Sequence, residues 1–204
     1  MTKTIVLNII VIIFSVSTLN ALAFYPENDK DFSLLPAYCK AKLKPSSPGE
    51  QTRWKKRIGE DFKHVHHFCA ALHSYNWTLY NFPSTKSEKS YKLYALRGAV
   101  GHAEYMEEHL INKDFVLLPS IYLLKARALA DLDKTAEAIT YFNKSIAANK
   151  KYTKAYIALA KFHLKLGNKT KALATIEQGL KHKPSSKSLK RRHRELISKS
   201  IESP

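Results

Sequence analysis

Residues 119–152 and 153–186 carry one pattern twice, and no other feature of the 204-residue chain constrains its fold as tightly. Aligned at an offset of 34, Tyr122 meets Tyr156, Ala126 meets Ala160, Leu132 meets Leu166 and Ala138 meets Ala172. Self-similarity at this period marks a helix–turn–helix unit that buries its apolar face only when a neighbour stacks on it. In the second copy Tyr156, Leu159, Ala160, His163 and Leu166 recur at helical spacing. Gly167-Asn168 ends that helix, because both residues tolerate the left-handed conformation of a C-cap. A second helix, about 169–182, turns Ala172, Leu173, Ile176 and Leu180 inward until Pro184 stops it. The repeated alanines stand where paired helices approach closely, and a larger side chain would push them apart.

The second copy resembles the tetratricopeptide repeat, through Tyr156, Leu159, Ala160, His163, Ala172, Ile176, Gly179 and Pro184. The first keeps Tyr122, Ala126, Leu129, Ala138, Phe142 and Ser145. It departs at Lys125, where a leucine is expected to pack the first helix, and at Lys150, where a proline is expected to tighten the turn. The expected fold is all-α: a helical-hairpin solenoid with an N-terminal helical hairpin before the repeats and a C-terminal capping helix after them. The resemblance also implies a concave groove lined by the first helix of each unit. Its offsets fall on Ser120, Leu123, Arg127, Ala130 and Asp131, then on Lys154, Ile157, Lys161, Leu164 and Lys165. Leu123, Arg127, Lys154, Ile157, Lys161, Leu164 and Lys165 are thus the candidate partner-binding residues. They suit an extended or helical acidic peptide held by charge and a few side chains.

Charge points the same way. Lys and Arg number 34 against 17 Asp and Glu, a net charge of +17, which favours an acidic protein face or an anionic envelope surface. No zinc-finger spacing, RNP-like aromatic motif or glycine-rich loop suggests nucleic acid. At the start, Lys3, an apolar run over 5–16 and Ala21-Leu22-Ala23 follow the order of a secretory signal peptide, with cleavage before Phe24. An uncleaved anchor is the alternative. Export to the periplasm or beyond is the expectation, with no membrane span once the leader is removed.

Residues 24–118 form the expected N-terminal region, a degenerate repeat. Helical patterning runs from about 50 to 80 and again from about 88 to 110, where Gly98 and Gly101 interrupt it. The first stretch carries His64, His66, His67, Cys69 and His73. Cys39 and Cys69 are the chain's two cysteines, and in an oxidising compartment one disulfide is the economical reading. On the chain-entropy view, closing that loop stabilises by about 3 kcal/mol. The rival reading is a metal or redox site on 64–73, where His66, Cys69 and His73 share one helical face and His64 and His67 a neighbouring one. Residues 187–204 form a basic cap with Lys190-Arg191-Arg192-His193-Arg194 exposed.

No glycine-flanked nucleophile, His-Glu-x-x-His or paired-carboxylate motif is present, so no catalytic residue and no cofactor is expected. Tyr38-Cys39 and His66-His67-Phe68-Cys69, placed before repeats, also resemble a group of exported bacterial tetratricopeptide proteins. Together these readings imply an exported adaptor that assembles an envelope complex, with a metal or redox accessory role for 64–73 as the alternative.

Overall fold

Local chemistry accounts for several of the helix starts and stops. The computed structural model describes residues 25–81 and 84–201, and the expected leader at 1–23 lies outside them. Three short helices, α1 (Asp29–Ser33), α2 (Ala37–Leu43) and α3 (Pro48–Ile58), lead through a 3₁₀ turn (Glu60–His64) into α4 (Val65–Tyr80). Then come α5 (Lys86–His109), α6 (Leu118–Asp131), α7 (Thr135–Ala148), α8 (Thr153–Lys165), α9 (Lys169–His182) and α10 (Lys187–Ile201). Capping boxes open α1 at Asn28 with Asp31 and α5 at Thr85 with Glu88. There is no strand among the described residues.

The single helix expected over 50–80 is two helices. Gly59 takes φ 106°, a backbone conformation that side chains disfavour, and breaks the run. The chain then turns Asp61 inward. Its carboxylate is 1% exposed and accepts the backbone N–H of Ile111 and of Asn112, each at 2.9 Å. The helix expected over about 88–110 is α5, which runs unbroken through Gly98 and Gly101. A glycine costs a helix only about 1 kcal/mol, and packing on α4 and α6 outweighs that.

Adjacent helices pair as hairpins, α4 with α5, α6 with α7 and α8 with α9, and α10 covers the open end. Contacts of α4 with α6, α6 with α8 and α8 with α10 set these four helices side by side as an inner row. The result is an all-α solenoid. One core cluster spans the N-terminal helices and α6, a second spans the two repeats, and Val100 packs against both. Ala126, Ala138, Ala160 and Ala172 are all buried at the helix crossings. A β-carbon on Gly179 would lie 2.9 Å from the Tyr156 ring, so the bulk of Tyr156 is matched by the absence of a side chain opposite.

The two repeat turns have the same geometry. Asp133 at φ 59° stands 34 positions before Gly167 at φ 76°. In both, the next N–H reaches back to the helix, Lys134 to Leu129 O at 2.9 Å and Asn168 to His163 O at 2.8 Å. Asp133→Gly is expected to stabilise by about 0.5 kcal/mol, whereas Gly167→Ala costs about 1 kcal/mol. Urea midpoints check both; equal shifts of the same sign would show that the left-handed turn sets neither.

The departures from the repeat pattern are compensated. Lys125 does not loosen its helix pair: it is 3% exposed, with Nζ 3.1 Å from Glu104, 3.4 Å from Glu107 and 2.6 Å from the Tyr141 hydroxyl. At the second departure, Tyr156 Oη donates to Lys150 O at 3.0 Å and ties down the turn that lacks proline.

Candidate partner-binding groove

The inner row presents a stripe that begins at the disulfide. Cys39 and Cys69 are joined, with S–S 2.06 Å across a separation of 30 residues. The bond holds α2 on α4 and brings Tyr38 to the end of the row. There Pro36 and Tyr38 face Phe68 and Leu72 of α4, Leu123 and Arg127 of α6, and Tyr152 and Lys154 at the start of α8. Burial, with Tyr152 adding to it, pushes the Tyr38 phenol well above its ordinary pKa, so it stays neutral.

The central cleft, about 390 Å³, lies between α4, α6 and α8. Tyr75 and Leu79 form one wall, Arg127, Ala130 and Asp131 the floor, and Ile157, Lys161 and Lys165 the other wall. Tyr75 Oη donates to Asp131 Oδ2 at 3.0 Å, linking α4 to α6 across the cleft. Burial first, then Asp131, raises the Tyr75 pKa. A third hollow follows between α8 and α10, where Ile157, Lys161 and Leu164 meet Arg192, Glu195 and Leu196.

Arg127 lines the first two hollows, and Ile157 with Lys161 lines the last two, so the three form one continuous stripe. The structure therefore brings the seven residues expected at the groove onto one row. Leu123, at 3% exposure, offers a partner only an edge. Arg127, Lys154, Lys161 and Lys165 are exposed, and among the described residues none of them is ion-paired. Asp131 and the Arg192–Glu195 pair, at 2.6 Å, interrupt the positive field locally.

Two walls were missed by the repeat offsets. Phe68, Leu72, Tyr75 and Leu79 belong to α4, which lies outside the two recognisable units, although their spacing of four, three and four marks an apolar helical face. The α10 helix read as an amphipathic basic cap around Leu189, Leu196 and Ile201, and that pattern did not place it at the groove.

The histidine set singled out on 64–73 is divided. Cys69 is bonded to Cys39 and offers no thiolate. His73 sits about two helical turns beyond His66, where burial lowers its pKa against the pull of Asp31 and Glu27. His64 and His67 instead meet α5, His67 Nδ1 lying 3.0 Å from His102 Nδ1 and His64 packing against Tyr105 and His109, whereas His66 Nδ1 lies 3.1 Å from Lys63 O on its own turn. Burial, then the neighbouring imidazoles His66 and His102, push the His67 pKa down to about 4. Among the described residues no group of three or more His, Cys, Asp and Glu is placed to hold a metal ion.

Hairpins of matched turn geometry, small residues at the crossings and an inner row of first helices lead to one comparison. Residues 124–191 match the tetratricopeptide repeat family. The match runs from within α6 into α10, and so takes in most of the first recognisable unit, all of the second and the start of the cap. No curated protein matches the chain. A tetratricopeptide fold is typically a non-enzymatic scaffold for binding other proteins, and the repeats here mark an interaction adaptor in that general sense. No helix among the described residues is long and apolar enough to cross a membrane.

Proposed function

We propose that the protein is an exported adaptor whose basic inner groove holds an acidic segment of a protein partner in an envelope complex. The observation that carries this reading is the stripe of Arg127, Lys154, Lys161 and Lys165, without ion pairs among the described residues, with Ile157 and Leu164 between them. Charge supplies orientation and fast encounter, and the apolar side chains supply affinity. A net charge of +17 also suits an anionic envelope surface beside the partner. The leader pattern at 1–23 and a disulfide of the kind that persists in oxidising compartments support a periplasmic or secreted location. So does the resemblance of Tyr38-Cys39 and His66-His67-Phe68-Cys69 to exported bacterial tetratricopeptide proteins.

The test is charge reversal. Lys161→Glu with Lys165→Glu leaves the helical fold intact, since exposed substitutions usually change stability by less than about 0.5 kcal/mol. Capture of partners from envelope extracts should fall at least about tenfold, and capture by the wild type should weaken as salt screens the groove. Should the double variant retain every partner at every salt concentration, the basic groove is not the docking surface.

A further inference from the structure

The three hollows along the groove differ in size and in walls. About 60 Å³ lies between α8 and α10, about 190 Å³ beside Tyr38 and about 390 Å³ in the open central cleft. A cavity of about 150 Å³ accepts a benzene ring, so the hollow at α10 is too small for a ring and the one at Tyr38 is large enough. The charges differ as well. Asp131 lines the central cleft and Glu195 the hollow at α10, whereas no carboxylate lines the hollow at Tyr38 among the described residues. Its walls are the rings of Tyr38, Phe68 and Tyr152 with Leu72, and Arg127 and Lys154 share the same hollow. Phe68 is buried, but Tyr38, Leu72 and Tyr152 are each half-buried and leave apolar surface for a guest. The Cys39–Cys69 bond fixes α2 on α4 one residue from Tyr38, and Trp54 meets the Tyr38 ring edge-on at 5.8 Å. Tyr152 Oη lies 3.0 Å from Ser120 Oγ. These walls are therefore held in place before a partner arrives, and little ordering is needed on binding.

We propose that this hollow is the anchor site of the groove and seats one aromatic side chain of the partner, with acidic residues of the same segment beside it. The inference rests on the reading of the groove as the holder of an acidic segment, and adds what fixes the register of that segment. A guest ring meets the host rings edge-on or offset, while Arg127 and Lys154 take the flanking carboxylates. Arg127 also lines the central cleft, so the rest of the segment continues from it toward Lys161 and Lys165. Cations spaced along a row hold an acidic chain in several registers, whereas one ring in one hollow selects a single register. Because the hollow stands at the end of the inner row, the ring belongs at one end of the acidic run.

Fluorescence anisotropy of labelled Glu-rich peptides on the full, disulfide-bonded chain tests this. The parent peptide has Ser where each of two probes carries a single Phe, at one end or at the other. The better probe should bind at least about tenfold more tightly than the parent. Tyr38→Ala on α2 and Leu72→Ala on α4 should each cut that preference to below about threefold, because the guest ring couples to both walls. Far-UV circular dichroism verifies the fold, and should one wall variant be disturbed, the other gives the same reading. Lys161→Glu with Lys165→Glu should weaken parent and probe alike and keep their ratio. Equal binding of parent and probes by the wild type overturns the anchor and leaves the basic groove standing. A full preference in both wall variants places the ring elsewhere and overturns it too, as does release of the probe through self-association, which would seat a second copy of the chain in the hollow. If no peptide binds even at low salt, the groove reading falls and the anchor with it.

Discussion

Asp61→Ala is expected to cost about 2–4 kcal/mol of folding stability, by loss of two charge-assisted hydrogen bonds from a buried carboxylate. Asp61 is 1% exposed, and its two oxygens accept Ile111 N–H and Asn112 N–H from the connection after α5. Those bonds tie the short 3₁₀ turn, and with it the start of α4, to a segment 50 and 51 residues away. The loss stays below that of two full bonds because the receiving segment is near solvent and water can reach the freed N–H groups. The neighbouring carboxylate is the control. Glu60 pairs with Lys55 at 2.8 Å on the exposed surface, so Glu60→Ala should cost less than about 0.5 kcal/mol. Urea denaturation of both variants measures the contrast. Equal losses for the two would show that Asp61 is not the anchor.

Lys125→Ala is expected to cost about 3 kcal/mol, whereas Lys125→Met should fall within about 1 kcal/mol of the wild type. The ammonium of Lys125 is enclosed by Glu104, Glu107 and the hydroxyl of Tyr141. Alanine removes both the charge and the packed stem, leaving a void between α5, α6 and α7. Methionine refills the void, as the leucine of the repeat pattern would, and Glu107 keeps Lys144 at 2.7 Å and the Tyr141 hydroxyl at 3.0 Å. If the methionine variant is as unstable as the alanine one, the ionic contact rather than packing sustains this crossing.

The same cluster sets a pH dependence. Burial disfavours the charge of Glu107, but hydrogen bonds from Lys144 and Tyr141 and the charge of Lys125 outweigh it and hold its pKa below the ordinary value. Its stabilisation is therefore present above the ordinary glutamate pKa and is lost as pH falls through the lowered one. Lys125 moves the other way. Burial opposes its charge, but Tyr141 and Glu104 raise its pKa, so its contribution holds below the ordinary lysine value and is lost only as pH rises through the raised one.

Much of the fold was legible in residues that act over a few neighbours. The recurrence at 34 positions, the left-handed turn at Gly167 and the stop at Pro184 marked the repeat helices, because caps and helical periodicity are local properties. The inner-row positions of α6 and α8 followed from the same period. Gly59 lay in plain view inside a stretch of helical patterning. It differs from Gly98 and Gly101 only in what surrounds it, since α5 is held straight by two packed neighbours, whereas the chain after Gly59 is turned by Asp61 and its distant N–H partners.

By itself, then, the sequence determined the all-α class, the repeat register and the positive charge of two groove helices, since each rests on spacing within one helix or between copies of one unit. Only the tertiary structure decided which faces met. It set α4 and α10 as the outer walls of the groove and enclosed Lys125 between carboxylates. It also placed His67 against His102, 35 residues away. Those contacts join side chains across helices with no shared period, and their geometry follows from how hairpins stack, which no local spacing encodes.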